Sequence, residues 1–98
     1  MENHSERLRL HAWVRGRVQG VGFRAYVQQQ ALMIGVTGWV RNVGYDGVEA
    51  VAEGSPAQID RFLAMLKRGP SASRVDEARE EWETVTDEFA SFRVKSSI

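Results

Sequence analysis

From Arg7 to Val14 polar and apolar side chains alternate, so that Leu8, Leu10, Ala12 and Val14 share one side of an extended chain. A period of two predicts a strand buried on one face. Arg15 to Gly22 holds three glycines and no helical repeat, which reads as a loop. Phe23, Val27, Ala31 and Ile34 then recur at intervals of four, four and three, the spacing of a single helix face, so a helix is expected from about Gly22 to near Gly35. Val36 to Val43 and Val48 to Glu53 are strand-like runs on either side of Gly44-Tyr45-Asp46-Gly47, and the Asp-Gly pair is a hairpin signal that predicts antiparallel pairing. Ser55-Pro56-Ala57-Gln58 follows, with a capping serine, proline at the first helical position and glutamine three residues past the cap. Ile59, Phe62, Leu63 and Leu66 supply that helix with an apolar stripe, and Lys67-Arg68-Gly69-Pro70 closes it with cations at its negative end. Ser71 to Arg74 is a polar connector. Val75 to Val85 is an acidic, weakly patterned strand, and Phe89, Phe92 and Val94 suggest a short last strand ending near Ser96.

This order is βαββαβ with a short strand appended. It predicts an α+β fold, a ferredoxin-like α/β sandwich in which two helices cover one face of an antiparallel sheet. With 98 residues, 43% of them hydrophobic, one core and one domain are expected, here over residues 7–98 behind a flexible N-terminal tail at 1–6. The chain has no cysteine, which excludes a disulfide framework, a cysteine zinc site and a thiol nucleophile. A polar N-terminus with no long apolar run behind it makes a cytoplasmic protein, without membrane attachment, the default expectation.

Net charge is zero, which argues against general affinity for nucleic acid, but the charge is segregated. Arg7 to Tyr45 carries six arginines and no acid, for +6, whereas residues 46–98 carry −4 and the first six residues −2. A basic stretch folded against acidic segments favours a local anion site over a generally basic surface.

The segment Gly16-Arg17-Val18-Gln19-Gly20-Val21-Gly22-Phe23-Arg24 is where such a site would form. A glycine-rich turn feeding a helix N-terminus points several backbone N–H groups into one concavity, and the helix dipole adds positive potential there. Gly16, Gly20 and Gly22 permit unusual backbone angles and close approach of an anion. Arg24, in the first helical turn, offers a guanidinium fork suited to two oxygens of one phosphoryl group. On the glycines alone, a plain turn with a solvated arginine remains the commoner reading.

Gly16 to Arg24 resembles the signature of acylphosphatases, and Gly38-Trp39-Val40-Arg41-Asn42 together with Val48-Glu49-Ala50 resembles the second motif of that family. The resemblance runs from about Arg7 to Val94. The Asp46-Gly47 pair sits one residue later than is usual in the family, which leaves the conformation of the 44–47 turn open. The resemblance implies a ferredoxin-like fold and a cofactor-free, metal-independent hydrolysis of the carboxyl–phosphate bond of small acyl phosphates, with inorganic phosphate as product. It further implies that Arg24 binds the phosphate, that Asn42 orients the attacking water, and that the amides of Gln19, Gly20, Val21, Gly22, Phe23 and Arg24 complete the phosphate cradle. A monomer is expected.

A carboxylate is a good leaving group, so stabilisation of charge on the phosphoryl oxygens and alignment of water would supply most of the catalysis. No general base stands out. Glu49 is expected to point away from the site or sit far along its strand, and His11 lies mid-strand, so both are read as structural. Trp13, Trp39 and Trp82 lack the pattern of an RNA-binding sheet and are assigned to core or sheet-cover packing. A phosphate-binding module without hydrolysis and the acylphosphatase-like domain that opens carbamoyl-transfer maturation enzymes are the alternatives. The chain's length favours a free-standing hydrolase over the second, and the presence of both Arg24 and Asn42 argues against the first.

Overall fold

A computed structural model describes residues 6–98. The tail expected over residues 1–6 lies outside the described residues except for Glu6, which is exposed. The elements are β1 (Leu8–Arg17), α1 (Phe23–Ile34), β2 (Thr37–Val43), β3 (Gly47–Gly54), α2 (Pro56–Arg68), β4 (Arg74–Glu83) and β5 (Phe92–Val94). They form one five-stranded sheet in the order β4-β1-β3-β2-β5, with the two helices packed on one face.

The core follows from the alternation. Leu10, Ala12 and Val14 of β1 and Val48, Ala50 and Ala52 of β3 point from the central strands toward the helices, which return Phe23, Val27 and Ala31 from α1 and Ile59, Phe62 and Leu66 from α2. Phe92 of β5 packs its ring 5.6 Å from that of Phe62. The second helix begins as its sequence dictates. Ser55 Oγ accepts from the Gln58 amide at 3.2 Å, and Gln58 Oε1 accepts from the Ser55 amide at 2.9 Å. Gln58 Nε2 also donates to the Ile34 carbonyl at 3.3 Å, so one side chain caps the start of α2 and the end of α1.

Three expectations are corrected. The sheet is mixed, because β5 pairs with β2 in parallel while every other pairing is antiparallel. After β4 the chain crosses from one edge of the sheet to the other, and the direction of a three-residue edge strand is set by that crossing. The first strand runs on to Arg17, three residues past its apolar alternation. A bulge at Arg15/Gly16 lets it keep pairing with β4, and a Cβ on Gly16 would stand 2.3 Å from the Arg74 carbonyl oxygen. Gly16 therefore serves strand contact and not the anion loop. The β2–β3 hairpin forms, but its turn is Gly44-Tyr45-Asp46, with Val43 paired to Gly47. Its left-handed residue is Gly44, at φ 63°, and neither Asp46 nor Gly47 takes positive φ as a two-residue Asp-Gly turn would require.

Opposite the helices the sheet carries a polar layer. Glu53 is fully buried and accepts from Arg9 Nη1 at 3.0 Å and from the Thr86 and Asp87 amides at 2.9 Å each. Trp13 lies beneath Arg79 and stacks on His11, and Trp39 lies between Arg41 and Lys95, so these two indoles are sheet cover. Trp82 is half exposed on the edge strand β4 and belongs to no core.

Candidate active site

The five residues joining β1 to α1 and the first turn of that helix enclose one side of a cavity of about 290 Å³, with the end of β2 on the other side. Val18, Gly20, Gly22, Phe23, Arg24, Ala25, Gln28, Asn42 and Val94 line it. Arg24, Gln28 and Asn42 are the only polar side chains in that lining. The loop and the second strand motif, 18 residues apart at Arg24 and Asn42, thus meet in one place.

Local sequence explains the shape of the loop. Gly20 and Gly22 sit at φ 75° and 76° with nothing within 4 Å of a hypothetical Cβ, so both are required by backbone angle and face open space. Val18 is fully buried and anchors the loop's start, while Phe23 anchors its end. The Gln19 side chain crosses to the β2–β3 hairpin, where Nε2 donates to the carbonyls of Gly47 at 2.8 Å and Gly44 at 3.0 Å, with a longer contact of 3.3 Å to Val43. Gln19 and Val21 do not line the cavity with their side chains.

The two helix starts differ in a way that matters. Ser55, Pro56 and Gln58 satisfy the first turn of α2. By contrast α1 is preceded by Gly22 and has no side-chain cap, and neither helix has an acid in its first turn. Among the described residues, none of the amides of residues 19–24 donates to a protein acceptor. A row of orphan donors with the positive end of the helix dipole behind it has the chemistry to accept an anion.

The arginine count sharpens the same point. Arg7 pairs with Asp87 at 2.9 Å, Arg9 with Glu53 and Glu83, Arg15 with Asp46 at 3.2 Å and Arg41 with Glu49 at 2.7 Å. Of the six arginines in the basic stretch, Arg17 and Arg24 have no carboxylate partner among the described residues, and only Arg24 lines the cavity. Folding neutralises most of the +6 and leaves Arg24 available.

Asn42 comes from the end of β2, opposite Val48, and its carbonyl accepts from the Ile98 amide at 3.1 Å. Its side-chain Oδ1 is buried and has no hydrogen-bond donor, the only such side-chain atom among the described residues. An unsatisfied buried acceptor costs about 1–3 kcal/mol, which a bound water would offset.

Glu49 and His11 lie on the other face of the sheet. Glu49 accepts from Arg41 Nε at 2.7 Å and contacts His11 Nε2 at 2.6 Å, while His11 Nδ1 meets Glu83 at 2.6 Å. Burial works to raise the Glu49 pKa, but hydrogen bonds from His11 and Arg41 outweigh it and hold the carboxyl below its ordinary value. Neither group reaches the cavity. Of the lining residues, sequence reasoning missed Gln28, Ala25 and Val94. The first had a usable signal, since it stands four residues after Arg24 on the same helix face.

The sequence profile of the acylphosphatase family matches residues 10–94. The chain belongs to the acylphosphatase family. An acylphosphatase of Synechococcus sp. (strain JA-2-3B'a(2-13)) is 45% identical over 94 residues, spanning 96% of this chain and 99% of the relative. The structure of an acylphosphatase from Coxiella burnetii superposes with a TM-score of 0.88 at 34% identity, over 97% of this chain and 99% of that one. Full-length HypF in its phosphate- and nucleotide-bound form matches at a TM-score of 0.86 and 28% identity, covering 99% of this chain but 13% of that protein. This acylphosphatase is a hydrolase, and the ferredoxin-like arrangement of its five strands and two helices is the fold of these relatives. Among the described residues no helix is long and apolar enough to cross a membrane.

Proposed function

We propose that the 290 Å³ cavity is where this acylphosphatase hydrolyses its acyl phosphate, with Arg24 and the amides of residues 19–24 holding the phosphoryl group and Asn42 orienting the nucleophilic water. The observation that carries the reading is the buried Oδ1 of Asn42, an acceptor without a donor in the same cavity as an arginine and a run of amides without acceptors. Donors suit the phosphate oxygens, and the acceptor suits a water proton.

The water oxygen attacks phosphorus as the bond from phosphorus to the carboxylate oxygen breaks. The carboxylate leaves with the bonding pair, and the water's protons end on phosphate and solvent. Negative charge gathers on the equatorial phosphoryl oxygens, where the Arg24 fork and preorganised amides stabilise it without reorganising. The carboxylate departs as a stable anion, so no strong acid is needed at the leaving oxygen. Glu49 and His11, on the far face, take no part.

The test is hydrolysis of benzoyl phosphate in chelator-treated buffer by wild type, Arg24→Ala and Asn42→Ala. Rapid turnover by the wild type is expected, with kcat/KM lowered at least about 10²–10³-fold in each folded variant. Normal turnover in either variant would remove that residue from the mechanism. No turnover by folded wild type would leave a phosphate-binding module.

A further inference from the structure

Gln28 stands one helical turn beyond Arg24 on α1 and lines the same cavity, yet neither the phosphate grip nor Asn42 depends on it. Its Nε2 donates to the Phe92 carbonyl at 3.1 Å. A carbonyl only accepts, so this contact fixes which end of the amide is nitrogen and turns Oε1 away from β5. Oε1 receives no hydrogen bond from the described residues. Two side chains of the cavity wall thus offer an amide oxygen without a donor among the described residues, the buried Asn42 Oδ1 and the solvent-accessible Gln28 Oε1, and the remaining lining side chains other than Arg24 are apolar.

A water that attacks phosphorus has two protons to give and must keep a lone pair for the bond it forms. With one acceptor it spins about that hydrogen bond and its lone pairs sweep a cone. Two acceptors on the wall hold both O–H bonds and leave a lone pair facing the held phosphoryl group. We infer that Gln28 is the second acceptor for the nucleophilic water: Asn42 takes one O–H, Gln28 the other, and the contact to Phe92 locks the glutamine in the rotamer that does so. The inference rests on the reading of this cavity as the hydrolytic site.

The competing role is a plain clasp between α1 and β5, and a double-mutant cycle separates the two. Gln28→Met keeps the length and removes both polar ends. It should lower kcat about tenfold, less than loss of a phosphate ligand because Asn42 still holds the water, with KM and competitive inhibition by inorganic phosphate within about twofold. In an Asn42→Ala background, where the water has already lost its placement, the same substitution should cost less than about twofold. Gln28→Lys retains a donor for the Phe92 carbonyl but no acceptor, so it should be as slow as Gln28→Met, and it carries the test alone if the methionine variant does not fold. Unchanged kcat in a folded Gln28→Met, restored turnover in Gln28→Lys, or a full tenfold loss on top of Asn42→Ala would each overturn the inference. If Asn42→Ala itself turns over normally, the underlying site assignment fails; if it is crippled and Gln28→Met is not, only Gln28 is removed.

Discussion

Arg24 is placed against its own helix. It is the second residue of α1, where the macrodipole is positive, and no carboxylate among the described residues compensates it. Such a cation costs about 0.3–1 kcal/mol at a surface site. Arg24→Ala should therefore fold as well as the wild type or better, by about that amount in urea denaturation without phosphate, while losing catalysis. A variant clearly less stable than wild type would mean that Arg24 holds the fold together, and its charge at the helix start would then need no anion to account for it. Gln19 works in the opposite sense. Its side chain ties the loop to the hairpin that follows Asn42, so Gln19→Ala should cost about 1 kcal/mol of stability and raise KM more than it lowers kcat, because a loosened cradle grips phosphate less well. Equal KM in wild type and variant would contradict a positioning role. Nothing in the sequence announced this side chain's task, since its acceptors are backbone carbonyls more than twenty residues away.

Between elements, legibility tracked how local the causes were. The start of α2 could be read because Ser55, Pro56 and Gln58 act within four residues, and Ser55→Ala should lower stability by about 1 kcal/mol in thermal or urea unfolding without altering KM. An unchanged unfolding midpoint would show that packing alone defines that helix end. The first helix and the central strands were equally plain from their apolar periods. β4 was fainter: as an edge strand it is exposed along both faces except at Val75, so no alternation is imposed on it, and the strand expected over Val75 to Val85 rested on a weak pattern before it was found at Arg74–Glu83. The parallel docking of β5 was illegible for another reason, because three residues carry no direction and the partner edge is reached by a long crossing. Of the site, the two motifs were visible on Gly20, Gly22, Arg24 and Asn42. Gln28 and Val94 entered only when the helix and the last strand closed on the loop.

Across the whole molecule the charge segregation resolves into a division between faces. The acidic later half supplies partners for most of the early arginines, and the sheet face away from the helices becomes a network in which Glu49, Glu53 and Glu83 all have pKa values below the ordinary carboxylate range. For Glu53 burial pushes upward, but hydrogen bonds from the Thr86 amide, Arg9 and the Asp87 amide win; for Glu83 the bond to His11 dominates. Groups with depressed folded-state values add stability that is complete above the unfolded value of about 4.3 and is lost as pH falls through the folded values. Urea midpoints should thus decline on acidification below about pH 4.5. Glu53→Gln should start about 3 kcal/mol lower at pH 7, since Arg9 loses its buried partner, and should lose less than wild type between pH 5 and 3. A variant with the wild-type acid slope would mean that Glu53 is not ionised in the native protein. The cavity face poses the central question, which is whether grip and water placement belong to two residues in one site. Phosphate-induced thermal stabilisation of wild type, Arg24→Ala and Asn42→Ala answers it most directly, since a ligand at 100 times its Kd adds about 2.7 kcal/mol. Wild type and Asn42→Ala should both be stabilised by inorganic phosphate and Arg24→Ala should not. Stabilisation retained by Arg24→Ala, or lost equally in both variants, would contradict the assignment of phosphate to Arg24 and of water to Asn42.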